Sequence, residues 1–192
     1  MSRWVVLPGA VGAGPQQETP TTARSGPLSE ALSGALADEP ALAGATWTVL
    51  GSGDVVVDGE LDPDAVARAV DAVVPRVLGA DAPASPALVR TSAQWREVMR
   101  NSPFAPGATG TQQVLFVRDL PEPRLRRALV GRDWGGDQVV VRGREVYLRY
   151  TGSVEGSLAR HATVLRYLDA VGTARDWADV RATAEVLAGA LV

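Results

Sequence analysis

The chain contains no cysteine and no lysine, and it has a single histidine, His161. Without cysteine there can be no disulfide, no thiolate metal site and no cysteine nucleophile. Without lysine there can be no Schiff-base amine and no phosphate-binding loop of the P-loop type. These absences exclude several common catalytic mechanisms before any motif is considered.

Long apolar runs are also missing, although 46% of the 192 residues are hydrophobic. A membrane-spanning helix needs about 20 mostly apolar residues, whereas the apolar start of the chain ends at Pro8. The same run is too short for the apolar region of a secretory signal. We therefore expect a cytoplasmic protein that does not contact a membrane.

Positive charge is scarce in the first half of the chain. Residues 1–89 contain 4 Arg against 11 Asp and Glu, whereas residues 90–192 contain 15 Arg against 11 acidic residues. The isoelectric point is about 5.2, and binding to nucleic acid requires a basic surface. The composition predicts an acidic half and a basic half, and it argues against a nucleic-acid partner.

The predicted elements of residues 1–90 follow the order β-α-β-β-α-β. One helix is indicated by leucines at every fourth residue from Leu28 to Leu36. A second helix begins at Asp62-Pro63-Asp64, where a capping side chain precedes a proline at the first helical position. This order is that of the ferredoxin-like fold. We therefore predict an α+β fold in which helices cover one face of an antiparallel sheet.

Residues 91–192 are predicted to form a smaller α/β half that ends in two helices and makes one compact unit with the first. Its clearest element is a β-hairpin over residues 139–148. Leucine spacing predicts a helix over residues 156–171 with Gly172 as its C-cap. Residues 173–177, Thr-Ala-Arg-Asp-Trp, are interpreted as a loop before the last helix.

A second loop is predicted over residues 8–27, which include four glycines and four prolines. The glycine spacing fits neither a dinucleotide-binding motif nor a P-loop. Long loops without secondary structure are often functional or mobile, and the role of this one stays open.

Three segments resemble the bacterial domain of unknown function 1697 family: Ser102-Pro103-Phe104, the Arg-Gly-Arg-Glu-Val-Tyr-Leu core of the hairpin, and Thr173 to Trp177. Residues 51–56 are similar to the Ser-Gly-Asn-Val-Val strand entry of that family. The resemblance covers nearly the whole chain in order and spacing. It implies an α+β fold with a ferredoxin-like N-terminal half.

The chain departs from the family pattern at polar positions. An Arg and an Asn that members carry after the first strand are missing, and the Asn of the strand entry is Asp54 here. A Ser-Lys-Leu segment is Gly156-Ser157-Leu158, without the lysine, and the Asn of Thr-x-Arg-Asn-Trp is Asp176. The resemblance therefore implies a divergent member. If its relatives bind an anion at these positions, this chain would not bind the same one.

The leading hypothesis is a non-catalytic ligand-binding or interaction protein with its ligand in a cleft between the halves. An acidic half beside an arginine-rich half, without a recognisable catalytic set, motivates it. Arginine binds carboxylates through paired hydrogen bonds, and it stacks on aromatic rings. The expected ligand is a small anion or carboxylate, and no cofactor is expected. The predicted contacts are Ser52, Asp54, Arg142, Arg144, Arg149, Arg175 and Trp177.

Other interpretations stay open. Asp176 can instead cap the last helix while Trp177 fills the core. An enzyme of actinobacterial specialised metabolism could catalyse a cyclisation or rearrangement by orienting its substrate, with Asp54 or Asp176 as an acid or base if burial raised its pKa. A homo-oligomeric structural module is a third possibility, so both a monomer and a homodimer are compatible with the sequence.

Metal and histidine chemistry are not supported by the sequence. His161 has no nucleophile motif around it, so it is interpreted as a structural or surface residue. The acidic residues lack the spacing of a calcium-binding loop or of a metal-binding helix. We therefore expect no metal site.

Overall fold

The structure is a computed structural model that describes residues 2–9, 27–78, 86–105 and 107–189. Nearly all of the predicted 8–27 loop lies outside these residues. By internal packing the chain divides into two units, residues 1–97 with 181–192 and residues 98–180. The predicted halves, 1–90 and 91–192, and their union as one compact body stay a prediction.

The first unit has the predicted order of elements. Its strands are β1 (Ser2–Leu7), β2 (Thr46–Val49), β3 (Val55–Gly59) and β4 (Leu88–Thr91). Its helices are α1 (Pro27–Ala37) and α2 (Pro63–Leu78), with a short 3-10 turn over Pro40–Leu42. The sheet order is β2-β3-β1-β4, and every pairing is antiparallel. The ferredoxin-like α+β prediction is therefore confirmed.

Alternate residues of the first sheet face the two helices and form the core. Val6 of β1 pairs with Val55 of β3 and with Val89 of β4, so one face of three strands is apolar. Burying each such side chain contributes about 1.5–3 kcal/mol. The buried core residues on this face and its helices include Trp4, Val6, Val55, Val57, Leu32, Leu36, Val66, Val70 and Val73.

The start of α2 follows the predicted capping pattern. The Asp64 backbone N–H donates to Asp62 Oδ1 at 3.1 Å, and Pro63 is the first helical residue. Asp64 lies in the first turn, where the helix dipole favours a negative charge. The sequence alone thus defines this boundary.

The second unit repeats the topology of the first. Its sheet contains β5 (Thr111–Val117), β6 (Gln138–Arg142), β7 (Glu145–Tyr150) and β8 (Gly172–Asp176), in the order β6-β7-β5-β8. The helices between these strands are α4 (Pro123–Val130) and α5 (His161–Leu168). Two further helices, α3 (Ser92–Arg100) and α6 (Trp177–Leu187), each cross a boundary between the units.

The segment interpreted as a loop, residues 173–177, is mostly a strand, and this prediction was wrong. Residues 173–176 belong to β8, which pairs antiparallel with β5, with Leu115 opposite Ala174. Thr-Ala-Arg-Asp lacks the run of β-branched and aromatic residues that marks a strand. Its stabilising partner lies about sixty positions earlier in the chain, so no local pattern indicates it.

The predicted helix over residues 156–171 is also shorter than expected. Ser157 Oγ donates to Asp137 Oδ2 at 2.6 Å and accepts from the Ala159 N–H at 2.8 Å, which holds this stretch in a turn. The helix ends at Leu168, and the residue in the left-handed conformation is Asp169, with φ of 50°. Gly172 is therefore not the C-cap.

Gly172 has a different role, because it begins β8 beside β5. A Cβ atom at this position would lie 2.4 Å from the Phe116 carbonyl oxygen and 2.9 Å from Leu165 Cδ2. Only glycine allows the two strands and α5 to approach this closely.

The two faces of β7 differ as the two-residue period predicts. Leu148 and Tyr150 pack in the helix-side core of the second unit. Tyr147 lies on the other face, where its hydroxyl donates to the Val98 carbonyl at 2.9 Å. Burial, together with the charge of Glu145, raises the pKa of Tyr147.

No helix in the described ranges is both long and apolar enough to cross a membrane.

Candidate functional site

The residues nominated as ligand contacts belong to both units. Ser52 and Asp54 lie in the first unit, in the turn between β2 and β3. The four arginines and Trp177 lie in the second unit. Arg142 ends β6, Arg144 is in the hairpin turn, Arg149 is on β7, Arg175 is on β8, and Trp177 is the first residue of α6. Each group is therefore considered within its own unit.

Ser52 and Asp54 shape a buried turn. The Asp54 backbone N–H donates to Ser52 Oγ at 3.3 Å, and the Asp54 carbonyl accepts from the Leu50 N–H at 2.8 Å. Gly53 has a φ of 83°, which this tight connection requires. Asp54 has no exposed surface, so a solute could reach its carboxylate only if the turn opened.

Arg175 is engaged by its own strand. Its Nη1 donates to Thr173 Oγ1 and to the Ala174 carbonyl, both at 2.8 Å, and only 6% of the residue is exposed. Trp177 is half-buried at the start of α6. This packing favours a structural role for Arg175 over contact with a ligand from solution.

The remaining arginines do not converge on one point. The guanidinium of Arg149 lies over the Phe104 ring, 5.7 Å from its centroid. Arg144 Nη1 donates to the Arg118 carbonyl at 3.3 Å, and Arg142 is exposed beside it in the hairpin. Arg142 pairs with Glu145. Glu145 lies four residues before Arg149 on β7, so Arg142 and Arg149 are about 13 Å apart along the direction of the strand. The anionic or carboxylate ligand therefore stays a prediction.

A chain of three polar side chains connects β8, β5 and α5. Gln113 Nε2 donates to Asp176 Oδ1 at 2.9 Å, and Gln113 Oε1 lies against Nε2 of His161. Because the amide oxygen can only accept, His161 must carry its proton on Nε2. The register places Gln113 directly opposite Asp176.

The surroundings of His161 within this group of three side chains favour a neutral imidazole. Burial lowers the pKa of His161 to about 4, and the Asp176 carboxylate offsets this only in part. A general base works best with a pKa near the working pH, so His161 is poorly suited to that task at neutral pH. What the structure shows for these three side chains is a set of hydrogen bonds that joins β8, β5 and α5.

Sequence reasoning considered His161 and Asp176 separately and did not connect them. The linking residue, Gln113, lies 48 positions from His161 and 63 from Asp176. Only the pairing of β5 with β8 brings the three together, and that strand was not predicted.

An open groove in the first unit is a second feature that sequence reasoning missed. It has a volume of about 650 Å³ and runs between the outer side of α1 and the start of the edge strand β2. We call it the α1–β2 groove. Its lining residues are Glu30, Ser33, Gly34, Ala37, Ala45, Thr46 and Trp47.

The groove follows from the spacing of residues on α1. Leu32 and Leu36 point into the core, whereas Glu30, Gly34 and Ala37 are exposed. Residues three and four apart lie on the same side of a helix, so these positions form one outward stripe. Small residues on that stripe leave space beside β2. A run of small residues on the outer side of a leucine-patterned helix was the available signal.

Within the described ranges, no group of three or more His, Asp and Glu side chains could hold a metal ion.

The fold has a counterpart among solved structures. A conserved bacterial protein from Streptococcus pneumoniae superposes with a TM-score of 0.57, covering 97% of this chain and 98% of that one at 10% sequence identity. At this identity the similarity concerns the fold alone. A comparison with curated proteins finds no match.

A family comparison agrees with the resemblance in the hairpin. The match, to the family described as "Protein of unknown function (DUF1697)", covers residues 35–147. That range extends from the end of α1 into β7, and it includes Ser102-Pro103-Phe104 but not Thr173 to Trp177. Because the match covers more than half of the sequence, this chain belongs to that family of proteins of unknown function.

Proposed function

We propose that the protein is a non-catalytic interaction protein that binds an extended peptide segment of a partner in the α1–β2 groove. The observation that carries this proposal is an open groove of about 650 Å³ directly beside an edge strand. An edge strand presents outward N–H and C=O groups to which another strand can add. The groove would receive the side chains of the added strand.

The backbone of β2 is suitably oriented for such pairing. Ser29 Oγ donates to the Val49 carbonyl at 3.0 Å from the α1 side, so that carbonyl points away from β3. The Val49 carbonyl is thus already engaged by α1. In an antiparallel pair the outward groups alternate with the paired ones, so the backbone N–H and C=O of Trp47 point to the same edge and are the groups that an added strand would meet. The four residues of β2 extend about 13 Å, which is enough for a short peptide strand.

The α1 side of the groove leaves room for side chains. Ser33, Gly34 and Ala37 are small, and a Cβ atom at Gly34 would have no heavy atom within 4 Å. In a bound strand, alternate side chains would point toward α1. Binding therefore requires little rearrangement of the first unit.

The shape of the groove favours binding over catalysis. Catalysis by positioning works in a site that encloses its substrate and excludes water, whereas this groove is open to solvent. Its lining contains one ionisable side chain, Glu30, and general acid–base chemistry usually pairs two groups of different pKa.

A phage-displayed library of random peptides tests this proposal with a matched pair of variants. Gly34→Leu fills the groove from an exposed helical position, whereas Ala72→Leu adds the same side chain at an exposed position of α2. We expect enriched peptides to bind the unaltered protein and Ala72→Leu equally, and Gly34→Leu at least about tenfold more weakly. Methylation of alternate peptide nitrogens should abolish binding, because it removes the hydrogen bonds that join strands.

Two results would contradict the proposal. One is a library that yields no peptide whose binding is reduced by Gly34→Leu. The other is a dimer, measured by light scattering, that Gly34→Leu converts to a monomer, because a second copy of the chain would then occupy the groove.

A further inference from the structure

We propose that the α1–β2 groove selects peptides that carry an arginine, whose guanidinium is held between the Glu30 carboxylate and the Trp47 indole. This inference rests on the proposed function and adds the chemistry of the partner. Both residues line the groove, and none of its other lining residues is ionisable. A cation is the ligand that a carboxylate and an indole recognise together.

The Trp47 side chain is positioned by its packing, which suits it to bind a guanidinium. It packs against the core of the first unit while it also lines the groove. A ring that is already fixed loses little conformational freedom on binding. Arginine suits such a site better than lysine does, because its planar guanidinium can stack on the indole while its N–H groups point toward a carboxylate.

The charge around the groove also favours a basic peptide. Residues 1–89 carry 4 Arg against 11 acidic residues. Of the acidic side chains just after α1, Glu39 forms an ion pair with Arg76, and Asp38 is exposed. A surplus of negative charge attracts a cationic partner at low ionic strength. The lining residues all fall between residues 30 and 47.

The presence of an acidic residue at position 30 also has a purely structural explanation, which the experiment must separate from peptide recognition. It lies in the first turn of α1, where an acidic side chain stabilises the helix through its dipole. That effect changes the stability of the protein but not its preference between two peptides. The preference is therefore the informative measurement.

The experiment compares two capped peptides taken from the library selection, identical except that one has arginine and the other citrulline, its neutral isostere. Isothermal titration calorimetry should show that the arginine peptide binds the unaltered protein about 5- to 30-fold more tightly, the range expected for one cation–π contact and one exposed ion pair. In Glu30→Gln the ratio should fall below about threefold. Asp64→Asn removes an acidic residue from the first turn of α2 and should leave the ratio unchanged.

The outcomes separate the two proposals. Equal binding of both peptides to the unaltered protein overturns the selection of arginine and leaves peptide binding intact. A preference in Glu30→Gln as large as in the unaltered protein also overturns it, because the Glu30 carboxylate would then not bind the guanidinium. Failure of every library peptide to bind in the groove overturns both proposals.

Discussion

Acidification from pH 6.5 toward pH 4 should destabilise the protein through its only histidine. In the folded chain, burial lowers the pKa of His161 from 6.5 to about 4. Between these two values the unfolded chain binds a proton at His161 that the folded chain does not. The unfolded state then binds more protons, so the free energy of unfolding falls as the pH falls. Below about pH 4 this contribution stops changing.

The structure sets the size of the effect. One unit of pKa difference corresponds to 1.36 kcal/mol, so a shift from 6.5 to about 4 gives an upper value of about 3.4 kcal/mol. His161 retains some exposed surface, and solvent screens part of its interactions. We therefore expect a loss of about 1–3 kcal/mol, a large share of the 5–15 kcal/mol typical of a folded protein.

Two measurements check this prediction. Because the chain has one histidine, an NMR titration of the imidazole signals reports His161 directly. Urea unfolding between pH 7.5 and pH 4 then compares the unaltered chain with His161→Gln, which retains a polar group but cannot titrate. The difference between the two curves isolates the histidine from the carboxylates. A measured pKa near 6.5, or the same pH dependence in both proteins, would refute the reasoning.

Variants of the two neighbours separate the causes of the shift. Asp176→Asn removes a charge that raises the pKa of His161, so the pKa should fall further. Gln113→Glu would place a carboxylate against Nε2, and the pKa should rise above its value in the unaltered chain. If neither substitution changed the pKa, the polar chain through Gln113 would not govern this titration.

Four further substitutions test the packing of the second unit, each by the midpoint of urea unfolding. Tyr147→Phe removes a buried 2.9 Å hydrogen bond to a main-chain carbonyl and should cost about 1–2 kcal/mol; Tyr150→Phe removes a longer, 3.3 Å bond and should cost less. Gly172→Ala would place a methyl group 2.4 Å from the Phe116 carbonyl oxygen and should cost about 1–3 kcal/mol. Asp137→Ala removes the acceptor of hydrogen bonds from Thr151 and Ser157 and should cost about 1 kcal/mol. These hydrogen bonds outweigh burial and lower the pKa of Asp137, so Asp137→Ala should cost progressively less as the pH falls below 3.8. Equal losses for the two tyrosine variants, or a neutral Gly172→Ala, would contradict the geometry described.

The first unit could be predicted from the sequence because its signals are local. A capping aspartate and a proline define the start of α2 within three residues, and leucines four apart define α1. Short runs of valine mark β1 and β3. Each signal depends on neighbours in the chain, so the order of elements and the ferredoxin-like fold followed without knowledge of the pairing.

The second unit was predicted less well because its last strand has no local signal. Residues 173–176 form a strand only because β5 provides hydrogen bonds on one side. The same pairing brings Asp176 to Gln113, so missing the strand also meant missing the polar chain to His161. The nominated arginines show a related difficulty: their shared charge suggested a site, but the sequence does not specify where along β7 and β8 each one lies.

The two units repeat one topology but not the side chains that line the α1–β2 groove. In the second unit, α4 and the edge strand β6 take the positions that α1 and β2 take in the first. Yet α4 carries Arg124, Arg126 and Arg127, whereas α1 carries Glu30, Ser33 and Gly34. Two helices with the same topological role thus differ both in side-chain size and in the sign of their charge. The small residues beside Glu30 belong to this sequence rather than to the fold, which is why substitutions at Gly34 and Glu30 test recognition separately from folding.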